Sequence, residues 1–125
     1  KECFFKGLEQ AVVGNHISDI GRAIQQHAES HGYGVVRELV GHGIGMNMHE
    51  APEVPNYVIP HFGRGARLVP GMAIAIEPMI NLGTRRIHVL DDGWTCVTAD
   101  GKPSAHYENT IFISENGPEV LTNPE

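Results

Sequence analysis

A short apolar run that ends in a carboxylate limits the folds open to this chain. Residues 72–76 read Met-Ala-Ile-Ala-Ile, without a polar position, which is typical of a strand buried on both faces. Glu77 follows at once, and Pro78 limits the strand. A carboxylate in this position is costly unless it is paired, protonated or bound to a metal. Glu77 is therefore a candidate functional residue.

The segments around this run predict an α+β fold, with two helices followed by mostly antiparallel strands. Apolar spacing indicates a helix over residues 3–13 that ends at Gly14, then a second helix, capped by Ser18, that ends near Gly32. The buried face of the second helix should carry Ile17, Ile20, Ala23, Ile24, His27 and Ala28. Further strands are predicted at residues 35–40, 94–98, 104–114 and 119–122. Because the 125 residues contain no repeat or linker, we expect a single unit.

The composition of the chain excludes some classes of function and predicts its cellular compartment. The formal charge is −6, with nine Lys and Arg against fifteen Asp and Glu, which argues against specific nucleic-acid binding. No apolar run approaches the ~20 residues that a membrane span needs. Cys3 and Cys96 are too few for a secreted disulfide scaffold, so a reducing cytoplasm is expected. The chain opens with Lys1 inside an amphipathic segment, and we expect it to be a piece of a longer protein.

A histidine between glycines is the second candidate functional residue. In Gly41-His42-Gly43-Ile44-Gly45, the glycines allow the backbone to approach a ligand or another strand closely. The segment lacks the glycine spacing of a dinucleotide-binding loop and the Lys of a phosphate-binding loop. His42 is therefore a candidate metal ligand or general base, and a purely structural turn is the alternative.

Two further polar segments leave a structural alternative open. Strand alternation in residues 104–110 places His106 and Glu108 on one face, which suits a lined cavity, although the pattern alone favours a solvated face. His49 could carry a proton or bind a substrate, or it could be an ordinary loop histidine. A helical zinc-protease motif is excluded around His49, because Pro52 interrupts the helix and position 53 is Glu.

His42, Glu77 and Glu108 together form a set of nitrogen and oxygen donors. Such a set suits Mn²⁺, Fe²⁺, Co²⁺ or Zn²⁺ better than a soft thiolate site does. A metal held this way can bind a water and lower its pKa toward neutrality. We therefore predict that these three side chains meet around one shared pocket.

Five motifs, in order and with matching gaps, resemble type I methionine aminopeptidases. They are Gly41-His42-Gly43-Ile44-Gly45, Met48-His49-Glu50-Ala51-Pro52, Ile76-Glu77-Pro78-Met79, Asp92-Gly93-Trp94-Thr95 and Ser104-Ala105-His106-Tyr107-Glu108-Asn109-Thr110. The resemblance covers essentially the whole chain and assigns residues 1–125 to the C-terminal portion of a catalytic domain. It implies half of a pita-bread fold, with two helices packed on a mostly antiparallel curved sheet. The implied activity is cytoplasmic removal of the initiator methionine from nascent proteins by attack of a metal-activated water.

The resemblance also implies a role for each candidate ligand. His42 and Glu77 would bind one metal, and Glu108 would bridge two divalent ions of Co, Mn, Fe or Zn. Glu108 would thereby position the metals for catalysis. His49 would hydrogen-bond the substrate around the scissile amide and help to stabilise the tetrahedral intermediate.

Other matched residues would contact the substrate or a second kind of ion. Met48 and Trp94 would form the wall of the pocket for the methionine side chain. A flexible thioether fills an apolar pocket of this kind well. His106 would lie beside the metals and the substrate, and Ser104 would help to bind the monovalent cation of some members. The implied partners are the N-termini of nascent polypeptides, with the ribosome as a further candidate.

The chain departs from the family pattern in one respect. The dinuclear site of the family also uses two aspartates from an N-terminal half, which this chain does not contain. We therefore expect the chain to be inactive alone, with the missing N-terminal half as its partner. The alternatives are a peptidase of the Xaa-Pro aminopeptidase or prolidase type, and a non-catalytic binding module on the same fold.

Overall fold

The computed structural model describes residues 1–122, which form two helices followed by ten strands. The helices are α1 (Glu2–Gln10) and α2 (Ile17–Ser30). The strands are β1 (Gly34–Val35), β2 (Gly41–Gly43), β3 (Glu50–Val54), β4 (Ala73–Ile76), β5 (Met79–Asn81), β6 (Ile87–Val89), β7 (Cys96–Thr98), β8 (Ser104–His106), β9 (Asn109–Ser114) and β10 (Gly117–Val120). The order of helices before strands confirms the α+β prediction.

Helix α1 is shorter than the helix predicted over residues 3–13. Its buried residues are Cys3, Phe4 and Gly7. The side-chain amide of Asn15 donates a hydrogen bond to the carbonyl oxygen of Gln10 at 2.9 Å, and this satisfies a carbonyl that is left free when the helix ends. The chain therefore turns after Gln10 and reaches Gly14, whose φ of 95° is accessible to glycine.

Helix α2 begins at Ile17, so the prediction of Ser18 as its cap is wrong. The cap residue is His16, whose N–H donates a hydrogen bond to the Asp19 carboxylate at 2.8 Å. The N–H of Ser18 instead donates to the carbonyl oxygen of Arg64 at 3.0 Å. On the predicted inward face, Ile17, Ile20, Ile24 and Ala28 are buried, whereas Ala23 and His27 are only partly buried.

The main sheet has five antiparallel strands in the order β10-β9-β4-β2-β3. Residues 73–76 form its central strand, and Ile74, Ala75 and Ile76 have no solvent exposure, as the apolar run predicts. Pro52 lies in β3 at the sheet edge, where a missing backbone N–H does not interrupt a ladder. A three-stranded sheet, β1-β5-β8, and the β6-β7 pair complete the strands of the described residues.

Two strand predictions need correction. The strand expected over residues 35–40 is only β1, which pairs with β5. The N–H of Val36 still donates to the carbonyl oxygen of Met79 in β5, and residues 37–39 then bend away. The strand expected over residues 104–114 is two strands in different sheets, since β8 pairs with β5 and β9 pairs with β4. The predictions near residues 94–98 and 119–122 correspond to β7 and β10.

Two neighbouring antiparallel segments of the chain, residues 73–81 and 104–114, are each interrupted by two residues, and the two interruptions lie opposite each other. Glu77 and Pro78 separate β4 from β5, while Tyr107 and Glu108 separate β8 from β9. The N–H of Tyr107 donates to the carbonyl oxygen of Pro78 at 3.3 Å and ties the two interruptions together. Each interruption therefore holds a glutamate between two sheets.

The two helices pack on one face of the main sheet and form the core with it. The side chains without solvent exposure in this layer include Phe4, Ile20, Ile24, Leu68, Ile74, Ile76, Ile111 and Ile113. At ~25 cal/mol for each Å² of apolar surface buried, this layer supplies most of the favourable free energy of folding. Within residues 1–122, neither helix is long and apolar enough to cross a membrane.

Candidate metal centre

Strand register places three predicted site residues on one face. His42 in β2 lies opposite Ala75 in β4, and Ile76 lies opposite Asn109 in β9. One step further along that second ladder, Glu77 faces Glu108. Since residues two apart on a strand share a face, Ala75 and Glu77 point the same way. His42, Glu77 and Glu108 therefore converge, as the sequence predicts.

The donor atoms of this cluster are close enough to hold one ion between them. One ligand atom from each of His42, Glu77 and Glu108 lies within 4.8 Å of the other two. His42 Nε2 is 3.3 Å from Glu77 Oε2. The His42 and Glu77 side chains are each only 14% exposed, whereas that of Glu108 is 43% exposed, so the cluster opens to solvent on the Glu108 side.

Glycines hold the His42 segment against its neighbouring strands. A Cβ at Gly41 would overlap the carbonyl oxygen of Ala75 in β4, and one at Gly43 would overlap that of Ala51 in β3. Of the two uses that glycine spacing left open, close approach to other strands is the one observed. His42 is thereby fixed between two strands.

The imidazole of His42 is oriented by its own backbone. Nδ1 lies 3.0 Å from the carbonyl oxygen of Gly43. Because a carbonyl oxygen only accepts hydrogen bonds, Nδ1 carries the hydrogen in this contact. The lone pair of the neutral ring is then on Nε2, which points at the carboxylates. A backbone hydrogen bond of this kind commonly fixes the tautomer of a metal-ligating histidine.

The carboxyl groups of Glu77 and Glu108 lie against each other. Burial, followed by the hydrogen bond and the charge of Glu108, raises the pKa of Glu77 from its ordinary value of 4.5 to about 7, and His42 opposes this rise. Like charges opposite each other in a sheet are destabilising. A shared proton or a bound cation relieves the repulsion, so this donor set fits a divalent metal ion.

Two further histidines adjoin the cluster. The ring of His49 lies 4.1 Å from that of His42, centroid to centroid, and His106 Nε2 lies 3.7 Å from Glu108 Oε2. Both side chains are on the exposed side of the site. Each can therefore reach a molecule that approaches the open edge of the cluster.

Three predicted residues are not assembled with the cluster. Met48 and Trp94 are 74% and 87% exposed, and neither lines the cavity beside β8 or the cavity around residues 59–66. The Ser104 hydroxyl donates to the carbonyl oxygen of Ile80 at 3.4 Å, and Ser104 lines a cavity that lies between β8 and the end of α2. Their substrate and cation roles stay predictions.

The sequence did not reveal the contact of Asn56 with the site or the hydrogen bonds by which Asp92 orders the Trp94 turn. Asn56 is fully buried and donates its side-chain amide to the carbonyl oxygen of Glu77 at 3.4 Å. Asp92 accepts hydrogen bonds from the N–H groups of Trp94 and Thr95, each at 2.8 Å. The hydroxyl of Thr95, followed by these N–H groups, lowers the pKa of Asp92. Only the Asp-Gly turn pattern around Asp92 offered a sequence signal for either residue.

Comparison with known proteins gives a consistent family match. A family model described as metallopeptidase family M24 matches residues 1–115. A methionine aminopeptidase of Clostridium perfringens is 60% identical over 122 residues, which are 98% of this chain and 48% of that protein. Methionine aminopeptidase 1 of Bacillus subtilis is 49% identical over 122 residues, again 98% of this chain and 48% of that protein. The chain thus spans about half the length of the curated relatives it matches.

Solved structures agree with the sequence matches. The crystal structure of methionine aminopeptidase from Thermotoga maritima superposes with a TM-score of 0.92 at 46% identity, covering 98% of this chain and 48% of that one. The prolidase from Pyrococcus horikoshii superposes with a TM-score of 0.70 at 26% identity, covering 99% of this chain and 29% of that one.

Proposed function

The chain belongs to metallopeptidase family M24, and on that premise we propose that residues 1–125 are the C-terminal portion of a methionine aminopeptidase catalytic domain. The fold is half of the pita-bread architecture, with two helices on antiparallel sheets. The whole protein would remove the initiator methionine from nascent proteins. The observation that carries the proposal is the convergence of His42, Glu77 and Glu108 within 4.8 Å.

His42, Glu77 and Glu108 would hold the metal of this site. Their imidazole and carboxylate donors suit Co²⁺, Mn²⁺, Fe²⁺ or Zn²⁺. A divalent ion bound there would polarise the scissile carbonyl and lower the pKa of a water molecule. Two ions in the intact site would require two aspartates from an N-terminal half, so we propose that the present chain is inactive without that half.

His49 would act on the substrate rather than on the metal. Its ring packs at an angle of 45° to that of His42 and remains exposed, so a ring nitrogen can donate to an oxygen of the scissile amide. A donor placed where negative charge develops in the transition state contributes about 10²–10³ in rate. His106, in contact with Glu108, would bind the substrate backbone beside it.

Met48 and Trp94 would wall the methionine pocket together with residues of the missing half. Their high exposure in this chain is what a half-built apolar pocket requires, since large apolar side chains are usually covered. Ser104 would contribute a hydroxyl oxygen to a monovalent cation. The substrates would be nascent polypeptide N-termini in the cytoplasm, and the ribosome would be a partner.

The test of this proposal is the substrate preference of the intact protein. The metal-loaded enzyme should hydrolyse Met-Ala-Ser and leave tripeptides of the Xaa-Pro type intact. His49→Ala should lower kcat on Met-Ala-Ser by about 10²–10³, while His61→Ala, which changes an exposed loop histidine, should leave kcat unchanged. Preference for Xaa-Pro would establish a prolidase-type enzyme instead, and absence of any tightly bound divalent metal would favour a non-catalytic module.

A further inference from the structure

A pair of histidines near the end of α2 lies apart from the candidate metal centre. His27 lies in the last turn of α2, and His31, four residues on, is the residue that caps the C-terminal end of the helix. Their ring centroids are 4.8 Å apart at an interplanar angle of 62°. The same spacing of two histidines on a helix binds zinc in metalloproteases.

The backbone orients one ring of the pair. His31 Nδ1 lies 2.9 Å from the carbonyl oxygen of His27, and since a carbonyl only accepts, Nδ1 carries the hydrogen. The lone pair of the neutral ring is then on Nε2. A ligating histidine typically donates its other N–H to such a backbone carbonyl, so one member of the pair is already oriented as a ligand.

The distance between the rings matches that of two imidazoles that share a metal. With metal–nitrogen bonds of about 2.1 Å, two coordinated rings have centroids about 4.5 Å apart for an angle of about 90° at the metal, and about 5.2 Å apart for a tetrahedral angle. The observed 4.8 Å lies between these values. The ring separation is therefore compatible with a shared ion.

The surroundings of the pair favour a cation and leave room for water. The pair lies at the C-terminal end of α2, where the helix dipole is negative. Both rings line a cavity of 460 Å³ together with Tyr33 and Ser104. Within residues 1–122, no other His, Cys, Asp or Glu completes a three-ligand group with the pair, so water would fill the remaining positions.

We propose that His27 and His31 form a second, peripheral site for a divalent transition-metal ion that prefers imidazole, namely Cu²⁺, Ni²⁺ or Zn²⁺. Two protein ligands make this site weaker than a closed structural zinc site, which has four. The proposal does not rest on the proposed peptidase activity, because neither histidine belongs to the cluster of His42, Glu77 and Glu108, although His106 lines the same cavity as the pair.

The test is a titration of the ¹⁵N-labelled protein with Cu²⁺, whose paramagnetism broadens the amide signals of nearby residues. Below one equivalent, the signals of residues 27–33 should broaden, separately from any broadening around His42. The double variant His27→Gln, His31→Gln should lose the first effect and keep the second. Each single variant should weaken Cu²⁺ binding at α2 by about tenfold or more, because the second imidazole binds intramolecularly.

A control variant and two possible results decide whether the proposed site exists. His88→Gln changes an exposed histidine on β6 and should leave the broadening of residues 27–33 unchanged. Sharp signals for residues 27–33 in the wild type, or equal broadening there in the double variant, would overturn the proposal. If the double variant loses its dispersed spectrum, the single variants decide, and unchanged affinity in both would also overturn it.

Discussion

Glu77→Gln should stabilise the metal-free protein while removing its capacity to bind metal. The pKa of Glu77 is raised from 4.5 to about 7 by burial and by Glu108. Between these pH values the native state binds more protons than the unfolded state, so stability falls as the pH rises through this window and stays reduced above it. Glutamine has no charge to lose, and its amide can donate to Glu108 in place of the carboxyl hydrogen.

The magnitude follows from the same rise in pKa. At about 1.4 kcal/mol for each tenfold change in proton affinity, a rise from 4.5 to about 7 sets an upper bound of about 3 kcal/mol. Because Glu108 is 43% exposed and water screens the pair, we expect about 1–2 kcal/mol. In urea unfolding with EDTA at pH 8, the free energy of unfolding of Glu77→Gln should exceed that of the wild type by this amount.

The pH dependence and the response to metal separate this account from a general effect of substitution. The difference between variant and wild type should vanish near pH 4, where the wild-type Glu77 is protonated in both states. With metal at 100 times its dissociation constant, the wild type should gain about 2.7 kcal/mol and the variant should not. Glu119→Gln, an exposed position on β10, is the matched control. A Glu77→Gln protein that is less stable at pH 8, or whose gain is the same at every pH, would refute the reasoning.

Three further substitutions test the support of the site and the core. Gly41→Ala should prevent folding or cost more than about 3 kcal/mol in urea unfolding, because its Cβ overlaps the Ala75 carbonyl oxygen. Asp92→Ala should free the loop that holds the single Trp94, which lowers tryptophan fluorescence anisotropy with no loss of secondary structure by circular dichroism. Ile74→Ala should cost about 2–5 kcal/mol, since Ile74 is fully buried in the central strand; a loss below 1 kcal/mol would show that the core relaxes around the gap.

The fold was predictable where a local pattern and the tertiary environment agree. The apolar run at 72–76 became the central strand because both of its faces are covered. The strand predicted over residues 35–40 did not continue, because the chain bends at residues 37–39, directly after the last hydrogen bond from Val36 to Met79. A helical face can likewise be read from spacing, but spacing does not reveal that His27 borders a cavity.

The convergence of the three candidate ligands was predictable from the sequence, whereas the contacts that support them were not. His42, Glu77 and Glu108 carry residue types and motifs that identify them without coordinates. Asn56 holds the carbonyl oxygen of Glu77 from 21 positions away, and its position in a proline-rich segment carries no sign of that contact. Long-range hydrogen bonds of this kind depend on how strands meet, which no local pattern encodes.

The interruptions between β4 and β5 and between β8 and β9 place the glutamates correctly only when the strands pair in the native register. Since side chains alternate between faces, sliding β4 by one residue against either neighbour would turn a donor to the opposite side. The cluster would then disappear as a whole instead of loosening gradually. Metal uptake can therefore serve as an all-or-none indicator of correct strand alignment during refolding.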